Sequence, residues 1–192
     1  VIATYTMPAD IEAIAWDKGY PVHLYCACED GQVVCIDTRD KKNIAFSFPA
    51  HDQTCTALSF SDKIPGFLCT ASTDKTTKVW DTAVVHEEGK GKKQTQPLQV
   101  AFKALNAGKL FTMEMYGSSP FTLAAGGDKG MLAIWNSDET AAIKAHFESR
   151  VVEDVNTVFD YASLSQGAAP APASKATAAA EDEDDSWMDE PA

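Results

Sequence analysis

A unit of 25 residues occurs three times in this chain, at residues 13–37, 57–81 and 112–136. Each copy reads as strand, turn, strand, tight turn and strand, because short runs of β-branched and aromatic residues are separated by Gly, Pro and Asp. The copies close on the pairs Ile36-Asp37, Trp80-Asp81 and Trp135-Asn136. Repetition of such a unit predicts an architecture in which each copy buries its apolar face against the next.

The spacing of the closing residues narrows the choice of architecture. They recur after 44 positions, from Ile36 to Trp80, and after 55 positions, from Trp80 to Trp135. A period of about 40–45 residues that ends in Trp-Asp is typical of the WD40 repeat, which forms a four-stranded propeller blade. The resemblance implies an all-β fold of WD40 blades, and such propellers usually serve as binding platforms.

The repeats and the turns between them predict the layout of the chain. We expect three blades within residues 1–148, a short helix or a closing strand at 149–166, and a disordered Ala/Pro-rich and acidic tail at 167–192. Strands are predicted at 11–16, 22–28, 32–37, 43–48, 54–60, 66–72, 76–81, 97–103, 109–115, 120–126 and 130–135, with a fourth strand of the last blade near 141–147. Since propellers need four to eight blades, we expect this to be the C-terminal part of a longer protein.

Most of the negative charge lies at the C-terminal end. The formal net charge is −12, and residues 181–192 hold seven acidic side chains without a Lys or Arg. Trp187 and Met188 lie inside this run, beside Asp184 and Asp185. Acidic and apolar side chains in a disordered segment suit a linear motif that docks on a partner protein, and a solvating tail is the alternative.

Composition also excludes several kinds of site. The five cysteines all fall in predicted strands and lack the CxxC spacing of zinc ligands: Cys26, Cys28, Cys35, Cys55 and Cys69. We interpret them as buried free thiols of a reducing compartment and expect no metal or cofactor. No apolar run approaches the roughly 20 residues of a membrane span, so we expect no membrane partner. We also expect no small-molecule substrate, because such propellers usually serve as binding platforms.

Four residues of the second repeat form the sharpest constellation: His51, Ser72, Asp74 and Trp80. By residue type they resemble a Ser-His-Asp triad, but nothing in the sequence supplies an exposed nucleophile or an oxyanion hole. We predict instead a buried hydrogen-bonded tetrad that fixes a turn to its strands. The catalytic alternative, with these residues or a strand cysteine, would require them to line an open cleft.

A lysine-rich stretch lies in the connection between the third and fourth strands of the second repeat. Lys90, Lys92 and Lys93 are spaced so that they could contact the phosphates of an RNA. Glu87 and Glu88 precede them, and a solvated loop is the plainer interpretation.

Three stretches carry a narrower resemblance: DGQVVCIDTRD at 30–40 with 50–52, IPGFLCTASTDKTTKVWD at 64–81, and PFTLAAGGDKGMLAIW at 120–135, preceded by 96–98 and 108–111. Together they are similar to the last blades of the periodic tryptophan protein 1 family, over roughly residues 10–136. The resemblance implies a non-enzymatic scaffold of the nucleus and nucleolus that acts in large-subunit ribosome assembly. Its implied partners are assembly factors, ribosomal proteins and precursor ribosomal RNA, and a histone-binding chromatin adaptor is the alternative.

Overall fold

Three antiparallel β-sheets, which we call blades, make up most of the structure. It is a computed structural model that describes residues 3–85 and 96–155. Blade 1 contains β1 (Ile11–Trp16), β2 (His23–Cys28), β3 (Gln32–Asp37) and β4 (Phe46–Pro49). Blade 2 contains β5 (Cys55–Phe60), β6 (Phe67–Ser72), β7 (Thr76–Asp81) and β8 (Leu98–Ala104). Blade 3 contains β9 (Leu110–Met115), β10 (Thr122–Gly127) and β11 (Leu132–Asn136).

In each blade, strands that are consecutive in sequence are neighbours in the sheet. The innermost strands β1, β5 and β9 lie side by side, so the blades follow one another like the blades of a propeller. The predicted all-β WD40 blade fold is therefore confirmed. A tight turn joins the second and third strands of each blade, and in blade 1 it contains Gly31 at φ 83°, a conformation that glycine adopts without strain.

The strand registers align the three blades residue by residue. Leu24 pairs with Ile36, Leu68 with Trp80, and Leu123 with Trp135. These pairs are therefore equivalent positions of the three sheets. The same alignment makes Val79 of β7 equivalent to Cys35 of β3 and to Ile134 of β11, since each directly precedes the closing residue of its repeat.

Two apolar cores lie between the blades. Between blades 1 and 2, Tyr25 and Phe48 pack against Leu58, Phe60 and Trp80. Between blades 2 and 3, a second core joins β6, β7, β9, β10 and β11. Aromatic rings meet edge to face in the first core, with centroids 5.1 Å apart for Tyr25 and Phe60 and 4.8 Å apart for Phe48 and Trp80.

The chain after β11 corrects one prediction. The segment near 141–147 is not the fourth strand of blade 3 but an α-helix, α1 (Ala141–Phe147). Ile143 and Phe147, four positions apart, lie on one face of α1 and are fully buried in the second core. Phe147 packs against Phe67 with ring centroids 4.6 Å apart and an interplanar angle of 58°. The spacing of Ile143 and Phe147 would also suit one face of a strand, so it is the contact of this face with the second core that stabilises the helix.

Residues 137–155 continue beneath blade 2, and we call them the strap. A 3₁₀ turn at Ser137–Glu139 precedes α1 and another at Glu148–Arg150 follows it. The amides of Val152 and Val155 then donate to the carbonyl oxygens of Lys63 and Asp62, both at 2.8 Å. The strap therefore runs from the end of β11 to the loop between β5 and β6. Most of the predicted 149–166 segment lies outside the described residues.

Candidate functional site

Polar residues of blade 2 form one buried chain of hydrogen bonds. Nδ1 of His51 lies 2.8 Å from Oδ2 of Asp74, and Nε2 of His51 lies 2.8 Å from Oγ1 of Thr70. Nε1 of Trp80 donates to the same Thr70 hydroxyl at 2.9 Å. The structure thus brings His51, Asp74 and Trp80 together, with Thr70 as the link between them.

The predicted fourth member, Ser72, does not take part in this chain. Its hydroxyl accepts a hydrogen bond from the amide of Asp74 at 3.0 Å and donates to the carbonyl of Gln53 at 3.4 Å. The reason is the register of the sheet, in which Trp80 lies opposite Leu68. Thr70 is the diagonal neighbour of Trp80 on the same sheet face, and Ser72 is one repeat of the pleat further along.

The protonation states follow from the directions of these bonds. A neutral His51 donates through Nδ1 to Asp74 and accepts from the Thr70 hydroxyl through Nε2. Burial lowers the pKa of His51, although Asp74 opposes the shift. Burial alone would raise the pKa of Asp74, but hydrogen bonds from Thr76 and His51 outweigh it and the pKa is lowered. Neutral imidazole and ionised carboxylate are therefore the stable pair.

The catalytic interpretation of this constellation has no geometric support. The hydroxyls of Thr70 and Ser72 have no solvent exposure, and His51 is buried. A substrate could not reach either hydroxyl without opening the blade. The cysteines are no better placed, since all five are buried. Burial raises the pKa of Cys28 to about 11 and that of Cys55 to about 12, which disfavours the reactive thiolate.

The aspartate that closes blade 2 binds the strap. Arg150 donates from its two terminal nitrogens to the Asp81 carboxylate at 3.0 Å and 2.6 Å, and Nε2 of His146 lies 2.7 Å from the same group. The amide of Ala83 donates to it as well, at 3.0 Å. Burial by itself would raise the pKa of Asp81, but the bonds from Arg150 and His146 lower it. Sequence reasoning missed this cluster, because no local pattern joins positions 69 residues apart.

The equivalent aspartate of blade 1 is bound within its own repeat. Arg39, two positions later, contacts both carboxylate oxygens of Asp37 at 2.6–3.2 Å and lowers its pKa. Asn136 of blade 3 carries no charge at this position. The closing aspartates of blades 1 and 2 are therefore stabilised in different ways, and that of blade 2 depends on the strap.

A second buried carboxyl lies where blades 1 and 2 meet. Oδ1 of Asp17 accepts from the amides of Gly19 and Tyr20 at 2.8 Å and 3.0 Å, and Oδ2 lies 3.4 Å from the hydroxyl of Thr82 in blade 2. Burial raises the pKa of Asp17 to about 7 against these lowering contacts. Sequence reasoning missed this group, since a lone Asp after a strand normally occupies an exposed turn.

The outward side of blade 3 carries apolar side chains that sequence reasoning also missed. We call this surface the blade 3 flank; it faces away from blade 2 and includes Leu132 and Ile134, both largely exposed. Within the described residues, β11 has a strand neighbour on one side only, β10. The alternation of Leu132, Ile134 and Asn136 with the buried Trp135 was the available signal, because alternate residues of a strand lie on opposite faces.

Some of the predicted site residues lie outside the part of the chain that the structure describes. Lys90, Lys92 and Lys93 lie outside the described residues, and so do Asp184, Asp185, Trp187 and Met188. In the described ranges, 3–85 and 96–155, no three His, Cys, Asp or Glu side chains are grouped as metal ligands would be. No helix within this part of the chain is long and apolar enough to cross a membrane.

Comparison with known proteins identifies the repeat. The family model for the WD domain, G-beta repeat, matches residues 42–81, which extend from the turn before β4 to the end of β7 and contain the whole tetrad. The chain carries a WD40 repeat. Blades 1 and 3 share the register of this WD40 blade, and they lack the complete tetrad. Met7 and Ile36 replace its His and Trp in blade 1, and Asn106 lies at the position of its His in blade 3.

Two curated relatives extend the similarity beyond the single repeat. An uncharacterized WD repeat-containing protein of Schizosaccharomyces pombe is 29% identical over 155 residues, which is 80% of this chain and 28% of that protein. The periodic tryptophan protein 1 homolog of Drosophila melanogaster is 26% identical over 144 residues, which is 74% of this chain and 29% of that protein. The WD40 chain therefore spans less than a third of the length of either relative. It resembles periodic tryptophan protein 1, as the sequence predicts.

Proposed function

We propose that this WD40 chain belongs to a non-enzymatic scaffold of large-subunit ribosome assembly in the nucleolus. The observation that carries the proposal is the similarity to the Drosophila periodic tryptophan protein 1 homolog, which extends over 74% of the chain. The family resemblance implies assembly factors, ribosomal proteins and precursor ribosomal RNA as the partners. The buried tetrad supports a binding role, because its polar side chains stabilise the blade and leave the loops free to recognise partners.

The fold supports one face of the blades as the binding face. We call it the lower face, where β1, β5 and β9 end and the loops at 17–22, 61–66 and 116–121 adjoin. Oγ of Ser61 donates to the carbonyl of Pro120, and Lys18 pairs with Asp62 at 3.2 Å across these loops. The chain leaves the described region twice at this face, after Val85 and after Val155.

The stretches of sequence that follow Val85 and Val155 carry the charges proposed to bind partners. Residues 86–95 contain Lys90, Lys92 and Lys93, and residues 181–192 contain the seven acidic side chains. Opposite charges on these two stretches suit an assembly of RNA and basic proteins, because the lysines attract phosphates and the acidic run attracts Lys- and Arg-rich surfaces.

Affinity purification tests the proposal. The tagged chain is compared with a variant that lacks residues 181–192 and with a matched variant in which the seven acids of that stretch are replaced by Asn and Gln. We expect pre-ribosomal proteins in the wild-type eluate, weaker recovery of basic partners with both variants, and a flatter dependence of binding on salt. Histones as the dominant partners, without pre-ribosomal components, would instead support the chromatin adaptor.

A further inference from the structure

The two blade junctions differ in chemistry at their outer ends, where the third and fourth strands of one blade face the next blade. Between blades 1 and 2, Phe48 packs edge to face against the Trp80 indole, with ring centroids 4.8 Å apart. Val33, which pairs with Phe48 across the strands, is fully buried in the same apolar core. Apolar side chains therefore close the outer end of this junction.

In the second junction, two polar residues take these positions. The strand registers make Lys103 equivalent to Phe48, and they make Thr77 equivalent to Val33. Nζ of Lys103 lies 5.0 Å from the centroid of the Trp135 ring. The aromatic contact of the first junction is therefore replaced by a cation over an indole.

The contacts of the Lys103 ammonium are weak and reversible. Its nitrogen also lies 4.0 Å from Oε2 of Glu139, in the strap, and the two side chains are 42% and 69% exposed. Ion pairs of this kind contribute little to stability, and salt screens them. Water therefore competes with the contacts of the ammonium, and the side chain can leave its position over the indole at small cost.

Closure of this junction leaves two polar groups without a hydrogen bond. Within the described residues, neither Nε1 of Trp135 nor Oγ1 of Thr77 has a partner, although both atoms are buried. In blade 2 the hydroxyl of Thr70 accepts from the equivalent indole, but blade 3 has Ala125 at the position of Thr70. A buried polar group without a partner is destabilising, and contact with water on opening restores its hydrogen bond.

We propose that the outer end of the junction between blades 2 and 3 is a cleft that opens and closes, with the Lys103 side chain as its lid. Opening exposes apolar surface, which favours the closed state. It also gives the Trp135 indole and the Thr77 hydroxyl access to water, which favours the open state. The rest of the junction stays closed, because Ile143 and Phe147 of the strap are buried in its core. The cleft is therefore a local two-state element that responds to whatever removes or screens the charge of Lys103.

Hydrogen exchange of the indole N–H groups, measured by NMR of the isotope-labelled chain, tests the proposal. The spectrum of Trp135→Phe assigns the Trp135 signal. We expect this N–H to exchange faster than that of Trp80, and to exchange about threefold to tenfold faster at about 1 M than at about 0.05 M sodium chloride. The N–H of Trp80 is bonded to Thr70 and is the internal control, since its rate should not rise with salt.

Substitutions of Lys103 distinguish the lid from a general loosening of the blades. Lys103→Gln removes the charge, and it should raise the exchange rate of the Trp135 N–H about tenfold at low salt without a further rise at high salt. Lys103→Phe copies Phe48, so it should slow the exchange and abolish its dependence on salt. Lys144→Gln, at an exposed lysine of α1, is the matched control and should behave as the wild type.

Ala125→Thr provides the Trp135 indole with the acceptor that Trp80 has, and it should slow the exchange at every salt concentration. Equal exchange rates of the Trp135 and Trp80 N–H groups in the wild type would overturn the proposal. So would a Trp135 rate that neither salt nor Lys103→Gln changes. A joint rise of both rates in Lys103→Gln would also overturn it, since the opening would then involve blade 2 as well.

Discussion

Arg150 of the strap binds Asp81 of β7 through two hydrogen bonds of 3.0 Å and 2.6 Å. The carboxylate is nearly inaccessible and the guanidinium is partly exposed. A carboxylate in this position needs its donors, since removal of one partner leaves a buried charge incompletely compensated. The bond therefore makes the closing residue of blade 2 dependent on a segment that follows blade 3.

Removal of this guanidinium should destabilise the chain. For Arg150→Met we expect a loss of about 2 kcal/mol in the free energy of unfolding, because His146 and the amide of Ala83 remain as donors to Asp81. Urea denaturation measures the loss. Lys144→Met, on the exposed side of α1, is the control and should change stability by less than about 0.5 kcal/mol. Equal effects of the two variants would contradict the role of the pair.

The buried chain of hydrogen bonds in blade 2 predicts that removal of the Thr70 hydroxyl and removal of the Ser72 hydroxyl have unequal effects on stability. Thr70→Val leaves Nε1 of Trp80 and Nε2 of His51 without their partner, and we expect a loss of about 2–4 kcal/mol. Ser72→Ala removes the bond from the amide of Asp74 and the longer bond to the carbonyl of Gln53, and should cost about 1 kcal/mol. Thermal or urea unfolding of both variants decides between the two residues, and a larger loss for Ser72→Ala would restore the prediction from sequence.

The buried carboxyl of Asp17 should make stability depend on pH. Its pKa is raised from 3.8 to about 7, so its contribution is fully present below about pH 4 and is lost as the pH rises through about 7. Asp17→Asn keeps an oxygen acceptor for Gly19 and Tyr20, and at about pH 8 it should be more stable than the wild type by up to about 4 kcal/mol.

The difference in unfolding free energy between this variant and the wild type, measured from about pH 4.5 to 8, isolates the effect of Asp17. The comparison is needed because His51 changes the stability with pH in the opposite direction. Its lowered pKa makes stability fall as the pH drops below about 6.5, and both proteins share that effect. Asp62→Asn, at a partly exposed loop carboxyl that pairs with Lys18, is the control. A difference that does not change with pH would show that Asp17 is not protonated on folding.

The five thiols should be unreactive in the folded chain. All are buried, and burial raises the pKa of Cys26 and Cys28. Titration with a chromogenic disulfide reagent at about pH 8 should detect them only after denaturation, because neither the thiolate nor a path for the reagent is available before. Rapid labelling of one thiol in the native chain would indicate an opening of its blade.

The sequence predicts the strands well where a strong local signal fixes both ends. The predicted 32–37 and 76–81 are the observed bounds of β3 and β7. The predicted strand at 43–48 is observed as β4, Phe46–Pro49, because the amides of Lys42 and Asn43 bond to Oδ1 of Asp40 and form a turn there. Such side-chain turns compete with a strand in ways that apolar alternation does not reveal.

The site was less predictable because it depends on contacts between distant positions. The choice of Thr70 over Ser72 requires the exact register of β6 and β7, and both residue types fit the pattern of the repeat. The bond between Asp81 and Arg150 and the apolar surface of α1 depend on where the strap turns beneath blade 2. Residues 143–147 alternate between apolar and polar side chains as in a strand, but Ile143 and Phe147 also share one face of a helix, so the pattern does not distinguish the two kinds of element.

The path of the strap also determines how a mechanical load would enter the molecule. The chain beyond Val155 leaves from the loop at Asp62 and Lys63, not from β11. Tension applied by a partner that holds the C-terminal region would therefore act first on blade 2, through that loop and through the bonds between Arg150 and Asp81. Blade 3 would carry no load until those contacts break, so a force on the C-terminal region need not separate β11 from β10.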